Sequence, residues 1–431
     1  MDILVVGGGG REHAIVRKLK ESPHCGTLYC APGNGGISRD AVCCDVAATD
    51  IEGMVALARE KKVDLVFVAP DDPLVAGMVD ALEEAGIPAF GPRKAAAILE
   101  GSKVFSKELM KKYGIPTADY AVFDQPQEAL AYVRERDRYP AVIKADGLAL
   151  GKGVILCDTY EEACQAVKSL MEDKVFGASG SRVVVEEYLT GPEVSVLAFT
   201  DGKTVKPMVS AKDHKRAFDG DRGPNTGGMG NISPNPHYTQ EDADWCMEHI
   251  FQPTVDAMRK EGRPFKGCLF FGLMLTPDGP KVIEYNCRFG DPETQAVLPR
   301  LKTDLIEILQ AVREERLADM QIQWSEKACA CVVMASGGYP GSYPKGLPIE
   351  GLAADGQLSS GSADVTVFHA GTKWEGGRFV TAGGRVLGVT ATGENLPQAL
   401  QKAYAAADAI TFTGKHCRRD IGARALKALE K

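Results

Sequence analysis

The sequence has no long run of basic residues and no long run of apolar ones. Its formal net charge is −8, and its lysines and arginines are scattered, so it lacks the basic patch typical of nucleic-acid-binding proteins. No segment reaches the roughly 18 consecutive apolar residues that a membrane-spanning helix needs. The first residues, Met-Asp-Ile-Leu-Val-Val, have an acid at position 2 and lack the basic start of a signal peptide. We therefore expect a cytoplasmic protein that binds neither nucleic acid nor membrane.

The sequence also lacks any Cys-x-x-Cys pair, although it contains 12 cysteines. Most of them lie within apolar runs, as Cys268 does in Gly-Cys-Leu-Phe-Phe. This pattern predicts reduced, structural thiols of an intracellular protein. Cys329 and Cys331 would share one face of a strand and could bind a metal, but no histidine stands near them.

A chain of 431 residues is too long for one compact core, and we expect three or four lobes. The first hundred residues alternate between short apolar strands (3–6, 27–30, 64–69 and 89–90) and helices (12–20, 50–62 and 74–84). This alternation predicts a parallel sheet with helices on both faces, in an α/β domain over 1–101. A helix over 93–113 would follow. A mixed α+β region over 102–325, with a small subdomain at about 117–190, and a strand-rich domain over 326–431 would complete the chain.

A glycine-rich turn, Gly7-Gly8-Gly9-Gly10, connects the first strand to the first helix. Glycines let the backbone approach a phosphate closely, and a helix N-terminus offers free N–H donors. A dinucleotide-binding domain would also carry an acid at the end of the second strand to hold a ribose. Here that strand ends in Ala31-Pro32-Gly33-Asn34-Gly35-Gly36, which favours a small phosphorylated substrate over NAD. A purely structural turn is an equal alternative for the glycines alone.

Three features of the middle of the chain fit a nucleotide site. Lys144 ends a strand and is followed by a glycine-rich loop, 147–153, that could fold over a triphosphate. The strand ending in Glu186-Glu187-Tyr188-Leu189 offers main-chain groups to an adenine, and Glu193 follows it. In 282–288 Glu284, Asn286 and Arg288 alternate and should share one face. Two oxygen ligands beside a guanidinium suit Mg²⁺ next to an anionic substrate.

This order of lysine, glycine-rich loop, Glu-Glu-x-Leu segment and Glu-x-Asn strand resembles the ATP-grasp fold. The residues in and around these motifs resemble those of the glycinamide ribonucleotide synthetase family over nearly the whole chain, and the longer matching segments are very specific. They are Gly-Gly-Arg-Glu-His-Ala (9–14), Ala-Pro-Gly-Asn (31–34), Leu-Glu-Gly-Ser-Lys (99–103), Ile-Lys-Ala-Asp-Gly-Leu-Ala (143–149), Gly-Lys-Gly-Val (151–154), Asp-His-Lys-Arg (213–216), Gly-Pro-Asn-Thr-Gly-Gly-Met-Gly (223–230), Asn-Cys-Arg-Phe-Gly-Asp-Pro-Glu-Thr-Gln (286–295), Gly-Gly-Tyr-Pro (337–340) and Phe-His-Ala-Gly-Thr (368–372).

The resemblance implies a Rossmann-like pre-ATP-grasp domain, an ATP-grasp domain with a lid subdomain and a small mixed β domain. It also implies an ATP-dependent carbon–nitrogen ligase of purine biosynthesis. That enzyme joins glycine to 5-phosphoribosylamine through glycyl phosphate, with Mg²⁺ or Mn²⁺, acting as a monomer or weak homo-oligomer.

The resemblance also assigns roles to individual residues. Those expected to bind ATP are Lys103 and Lys144 (phosphates), Gly147, Gly151, Lys152 and Gly153 (lid), Glu186, Glu187, Tyr188 and Leu189 (adenine) and Glu193 (ribose), with Glu284 and Asn286 holding the metal. Those expected to contact the other substrates are Gly9, Gly10, Asn34, Gly35, Asp71, Asp213, Lys215, Asn225, Gly227, Gly228, Met229, Arg288 and Asp291. Lys144, Asp213 and Arg288 would be catalytic, with Arg288 holding an anionic group and Asp213 orienting an amine.

One position departs from the family pattern. The family usually has Gly-Pro-Glu after the third strand, whereas this chain has Ala69-Pro70-Asp71-Asp72. Aspartate is one methylene shorter, so the contact to the acceptor's ribose is expected to shift or to pass to Asp72.

Three other functions compete with this interpretation. Another ATP-grasp carboxylate–amine ligase of purine metabolism is the nearest, but the 223–230 and 286–295 loops favour the glycine ligase. An NAD-binding oxidoreductase rests on the N-terminal glycines alone and leaves Lys144 and the Glu284–Asn286 pair unexplained. A non-catalytic nucleotide sensor would retain the adenine segment without needing the metal and lid residues.

Overall fold

The N-terminal part of the chain forms a parallel sheet, as the sequence predicts. A computed structural model describes residues 1–148, 153–175 and 177–430. Its sheet has the order β3-β2-β1-β4-β5, and every pair of neighbours is parallel. The elements are β1 (Ile3–Gly7), α1 (Gly10–Lys20), β2 (Leu28–Pro32), β3 (Val42–Cys43), α2 (Ile51–Lys61), β4 (Leu65–Val68), α3 (Asp71–Ala76), α4 (Met78–Glu84) and β5 (Ala89–Phe90).

Two predicted helices are each divided in the structure. The helix expected over 93–113 is α5 (Lys94–Gly101) and α6 (Lys103–Tyr113). Ser102 between them has extended backbone angles, and its hydroxyl accepts the Phe105 N–H at 3.1 Å. The helix expected over 74–84 is interrupted at Gly77, whose φ of 101° is left-handed. Apolar periodicity continues through both breaks, and a local capping interaction or glycine turn overrides it.

The next segment forms a small antiparallel unit. Its four strands have the order β6-β9-β7-β8, and helices α7 and α8 contribute to a separate apolar core. The elements are β6 (Tyr120–Phe123), α7 (Pro126–Arg136), β7 (Ala141–Ala145), β8 (Val154–Cys157), α8 (Tyr160–Val167) and β9 (Val183–Glu187).

A second antiparallel sheet, of order β11-β10-β16-β17, forms the floor below this unit. Buried side chains of β10 and β16 join it to the core of the N-terminal sheet. The elements of this part of the chain, which include strands of other sheets, are β10 (Glu193–Asp201), β11 (Val205–Pro207), β12 (Lys212–Asp213), β13 (Arg216–Phe218), β14 (Arg222–Asn225), β15 (Gly230–Ser233), α9 (Gln240–Cys246), α10 (Gln252–Lys260), β16 (Lys266–Thr276), β17 (Gly279–Asn286), α11 (Glu293–Val297) and α12 (Leu305–Arg313).

The C-terminal sheet has the order β12-β15-β18-β22-β19. Two of its strands, β12 and β15, come from the middle of the chain, so one continuous sheet crosses the predicted boundary at 326. The last elements are β18 (Ala328–Ala335), β19 (Val365–His369), β20 (Thr372–Glu375), β21 (Arg378–Thr381), β22 (Arg385–Gly393), α13 (Leu396–Ala409) and α14 (Ala423–Leu429).

The cysteines are free thiols, as predicted. Cys329 and Cys331 lie on β18 and pack against Ala296 in a small buried apolar cluster. Burial raises the pKa of Cys331 to about 12, so this thiol is protonated at neutral pH and is poorly suited to bind a metal. In the described part of the chain, no helix is long and apolar enough to cross a membrane.

Candidate active site

Three lysines project into the cleft between the small antiparallel unit and the floor sheet. Lys103 is the first residue of α6, and its ammonium donates to the carbonyl of Gly147 at 2.9 Å. Lys144 is on β7 and donates to the carbonyl of Ile283, on the floor strand β17, at 3.2 Å. Lys107, one turn after Lys103, was not predicted. Together they place positive charge where α6, β7 and β17 meet.

Glu186 holds two of these lysines. Its carboxylate lies 3.0 Å from the ammonium of Lys144 and 3.0 Å from that of Lys107, and all three side chains are buried. Desolvation lowers the pKa of Lys107 to about 8, although Glu186 opposes the shift. Glu186 was expected to contact adenine, but in the structure its side chain holds Lys107 and Lys144 in place. A contact of this segment with adenine would therefore depend on the adjoining backbone.

The predicted adenine and ribose segment lies at the end of β9. Glu187 accepts the N–H of Asp119 at 3.0 Å. Tyr188 is exposed, and Leu189 is half-buried. Glu193 begins β10, and its carboxylate lies 3.6 Å from the ammonium of Lys215. The segment 187–193 directly follows Glu186 and so lies beside the cluster of Lys103, Lys107 and Lys144.

Two glycines of the predicted lid loop are described. The carbonyl of Gly147 accepts from Lys103, and the carbonyl of Gly153 accepts the N–H of Ala145 at 2.8 Å. Gly151 and Lys152 lie outside the described residues, so their lid role stays a prediction.

Glu284 and Asn286 lie near the end of β17, opposite the lysines. The carboxylate of Glu284 is 3.2 Å from the Lys215 ammonium, and the two side chains are 34% and 41% exposed. Lys215 first, and Lys144 and Lys103 further away, lower the pKa of Glu284 to about 2 despite desolvation. Glu284 is thus ionised at neutral pH, and its carboxylate is a charged oxygen ligand.

This pair fits a divalent cation such as Mg²⁺ or Mn²⁺. A charged carboxylate and an amide oxygen are hard oxygen donors of the type these ions prefer. The Lys215 ammonium occupies the position of a counter-cation to Glu284 in the structure. Both side chains are partly exposed, so solvent and a small cation can reach the Glu284 carboxylate.

Arg288 is not a free anion receptor in this structure. Its guanidinium lies 3.0 Å from the carboxylate of Glu100 and 3.8 Å from that of Asp71, and it donates to the Asn286 side-chain oxygen at 3.1 Å. Glu100 also accepts the N–H of Cys287 at 2.7 Å. The Nε of Arg288 is buried and has no hydrogen-bond partner among the described residues, so this donor could engage a ligand. Glu100 was not given a role from sequence, although it lies in the Leu-Glu-Gly-Ser-Lys segment.

Asp213 and Glu293 form a second carboxylate group close to Lys215. Glu293 is buried and accepts the hydroxyl of Ser195 at 3.2 Å. Desolvation raises the pKa of both carboxyls, and the charge of Glu293 raises that of Asp213 further. Two such neighbouring carboxyls favour sharing a proton over ionising together. Glu293, like Lys107 and Glu100, is a residue to which the sequence interpretation gave no role.

The loop 223–230 encloses Asp213. Gly228 has a φ of 111°, and a Cβ there would lie 2.5 Å from Pro292 and 2.6 Å from the Asp213 carboxylate, so this position requires glycine. Asn225 is half-buried at the end of β14, and Gly227 is exposed. Met229 was expected to contact substrate, but its side chain is fully buried, which indicates a packing role.

The N-terminal glycine loops adjoin the 286–295 segment, since a Cβ at Gly9 would lie 3.3 Å from the Asp291 carboxylate. The N–H of Gly9 donates to Glu12 at 2.6 Å, and Gly10 begins α1. The Asn34 amide donates to the carbonyls of Gly8 and His369, at 2.9 and 2.8 Å.

The neighbouring N–H of Gly35 donates to Thr372 at 3.0 Å. Asn34 and Gly35 thus connect the first sheet to the C-terminal domain, and in the structure their polar groups are used within the protein.

Asp291 and Asp71, both predicted to bind substrate, are engaged by arginines. Asp291 lies 3.3 Å from Arg385, accepts from Gln295 at 2.7 Å and accepts the N–H of Arg11 at 3.4 Å. Asp71 is the first residue of α3 and faces Arg288, as described above. Asp72 is exposed.

Comparisons with known proteins agree along the whole chain. The family model of phosphoribosylglycinamide synthetase matches in three parts: the N domain over residues 1–100, the ATP-grasp (A) domain over 101–294 and the C domain over 329–424. The phosphoribosylamine–glycine ligase of Caldanaerobacter subterraneus is 48% identical, over 98% of this chain and 100% of the relative. That of Rhodopirellula baltica is 49% identical, over 100% of this chain and 99% of the relative.

Solved structures extend the likeness to the fold. The crystal structure of phosphoribosylamine–glycine ligase from Thermotoga maritima matches with a TM-score of 0.83 and 34% identity, covering 97% of this chain and 100% of that chain. A biotin carboxylase domain from Hydrogenobacter thermophilus, solved with MgADP, matches with a TM-score of 0.75 at 18% identity, covering 96% and 91%; this second likeness concerns the fold alone. From its three matched domains and its full-length relatives, the chain belongs to the phosphoribosylglycinamide synthetase family.

Proposed function

We infer that the protein is an ATP-dependent ligase that joins glycine to 5-phosphoribosylamine, giving glycinamide ribonucleotide, ADP and phosphate. One observation carries this inference at the site: Glu284 is surrounded by Lys215, Lys144 and Lys103, which together hold it ionised. A carboxylate beside several cations can hold a metal and a triphosphate at the same point. Family membership specifies which carboxylate and amine react.

The reaction would proceed in two displacements. A carboxylate oxygen of glycine attacks the γ-phosphorus of ATP, and the bond from that phosphorus to the β,γ-bridging oxygen breaks. The products of this first step are ADP and glycyl phosphate. The amine of phosphoribosylamine then attacks the acyl carbon, and inorganic phosphate departs. Both steps need positioning and charge neutralisation rather than a protein nucleophile.

Lys103 and Lys144 would hold the phosphates, because their ammonium groups converge on the cleft from two different elements. Glu284 and Asn286 would hold Mg²⁺ or Mn²⁺, which neutralises phosphate charge when bound. Glu186 would keep Lys144 oriented toward the cleft through its 3.0 Å contact. The glycine-rich segment 147–153 would exclude water from the acyl phosphate.

The Asp213–Glu293 pair would orient the attacking amine and take up its proton. Burial raises the pKa of both carboxyls, which makes each a better proton acceptor than an exposed carboxylate. Arg288 would act on the other side, with its Nε toward an anionic group of the substrate or intermediate. The glycines at 9, 10 and 35 would border the phosphate of phosphoribosylamine, and Asp71 its ribose.

The domain limits that we propose are 1–101, 102–325 and 326–431, with the lid at about 117–190. The matched family domains, over 1–100 and 101–294, support the first boundary to within a residue. The third matched domain begins at 329, three residues after the proposed start at 326, and the shared strands β12 and β15 support close docking of the third domain. We further propose that the enzyme acts in the cytoplasm as a monomer or weak homo-oligomer.

The test is ADP release from ATP and Mg²⁺ with glycine and phosphoribosylamine omitted singly and together. Phosphoribosylamine would be generated in the assay from ribose 5-phosphate and ammonia. We expect strong release, with glycinamide ribonucleotide formed, only when both are present. Release that is indifferent to glycine would refute the assigned substrate while leaving an ATP-grasp enzyme.

A further inference from the structure

Arg385 of the C-terminal domain reaches into the candidate active site, although no motif marked it. It begins β22, where the pairing with β18 is irregular: Met334 pairs with Leu387 and Ala335 pairs with Arg385. Val386 is therefore an extra residue, which makes a β-bulge. Bulges redirect the side chains beside them and are common next to active sites.

The guanidinium first contacts the loop 223–230. Its Nη1 donates to the carbonyl of Gly227 at 2.7 Å. A Cβ at Gly227 would lie 3.0 Å from the guanidinium carbon, so this glycine lets the arginine lie against the backbone. Tyr339, also from the C-terminal domain, accepts the Gly227 N–H at 3.1 Å. Two side chains of one domain thus fix this loop.

The same guanidinium contacts the loop 286–295. Nη1 donates to the main-chain carbonyl of Asp291 at 2.8 Å, and Nη2 lies 3.3 Å from the Asp291 carboxylate. A planar guanidinium can serve such a set of acceptors because its donors are fixed in a fork, whereas a lysine ammonium is a single point charge.

The two loops connected by Arg385 are those that enclose the reacting groups. Gly228 of the first lies against Asp213, and Pro292 of the second lies against Gly228. Arg288 and Glu293 belong to or adjoin the second loop. A shift of either loop would therefore move Asp213 relative to Arg288.

We propose that Arg385 is a positioning residue of the ligase, which holds the 223–230 and 286–295 loops in register for the acceptor step. This inference rests on the proposed function. It assigns to the C-terminal domain a part in amine transfer, while nucleotide binding depends on the middle domain, 102–325.

The test compares Arg385→Ala, Arg385→Lys and the control Arg378→Ala, an exposed arginine of β21 in the same domain. The measurements are kcat/KM for phosphoribosylamine, the KM for glycine, the Kd for ATP and the melting temperature. Because a displacement of about 1 Å can cost on the order of 100-fold in rate, we expect that loss in kcat/KM for Arg385→Ala. ATP affinity should change less than about twofold, since no nucleotide-site lysine is disturbed.

Methylguanidine supplies a readout that a merely structural role would not move. The Arg385 side chain is 21% exposed, so removing it opens a cleft that a small cation can enter. We expect added methylguanidine to restore part of the activity of Arg385→Ala and to leave Arg378→Ala unchanged. Arg385→Lys should be as stable as the wild type yet less active, because one ammonium cannot serve both loops.

Three outcomes would overturn the proposal. They are wild-type kcat/KM in Arg385→Ala, a parallel loss of ATP affinity without methylguanidine rescue, and full activity in Arg385→Lys. If Arg385→Ala does not fold, Arg385→Lys decides alone. An inactive wild-type protein would instead refute the proposed function, so the two failures are distinguishable.

Discussion

Replacing Glu284 by glutamine tests the proposed division between metal holding and nucleotide recognition. Glutamine keeps the size of the side chain and removes its charge. The surroundings lower the pKa of Glu284 from 4.5 to about 2, and each pKa unit corresponds to about 1.4 kcal/mol. The ionised form is thus favoured by roughly 3 kcal/mol, which solvent screening at this partly exposed position reduces to about 1–2 kcal/mol.

That free energy measures how strongly the nearby lysines stabilise the charged carboxylate of Glu284. Without it the metal should bind more weakly, and turnover should fall about 10²–10³-fold, the range seen when one preorganised charge-stabilising group is removed. Binding of ATP measured without metal should be unchanged or slightly tighter, because a negative charge beside the triphosphate has been removed.

The assay is ADP release across a Mg²⁺ titration, with metal-free ATP binding measured separately by calorimetry. Glu314→Gln is the matched control, because Glu314 is an exposed glutamate paired with Arg316 away from the site. Higher Mg²⁺ should restore part of the lost turnover in Glu284→Gln only. More than half of wild-type turnover at low Mg²⁺, or loss of metal-free ATP binding in a folded variant, would refute the reasoning.

Three further perturbations follow from the structure. Glu186→Ala leaves two lysines buried without their carboxylate, which should lower the free energy of unfolding by about 3–5 kcal/mol. Hydrogen exchange of the backbone amides of β7 and β9 should then become faster, and unchanged protection would contradict the buried ion cluster. Burial lowers the pKa of His369 from 6.5 to about 3, so the unfolded chain binds more protons between these values and stability should fall as pH drops from 6.5 toward 3. In His369→Gln the melting temperature should fall less steeply as the pH drops, whereas the control His249→Gln, at an exposed histidine, should behave like the wild type. The same pH dependence in all three proteins would exclude His369 as the source of the loss. Gly228→Ala should lower turnover at least about 10-fold by displacing Asp213. It should also lower the melting temperature, because alanine is strained at this positive φ, so turnover is measured well below the variant's melting temperature; normal turnover would show that the loop tolerates the clash.

Much of the site was predictable where function depends on local spacing. Alternation along β17 placed Glu284 and Asn286 together, and the strand-to-loop position of Lys144 brought it to the cleft. Lys107 could have been found from its one-turn spacing after Lys103. Glu100 and Glu293 stand within the matching family segments, but a charged side chain in a motif does not reveal which distant group it will face.

The amino-acid sequence by itself determined the family, the parallel N-terminal sheet and the residue types proposed to bind ATP and metal, because these depend on periodicity and on motifs contiguous in the chain. Only the tertiary structure decided that Arg288 is held by Glu100, that Asn34 connects two domains and that Arg385 connects two loops. These contacts join residues far apart in the chain, such as Arg385 and Gly227, whose carbonyl accepts at 2.7 Å. They depend on how the sheets dock and on a bulge in β22, and neither leaves a periodic signal in the sequence.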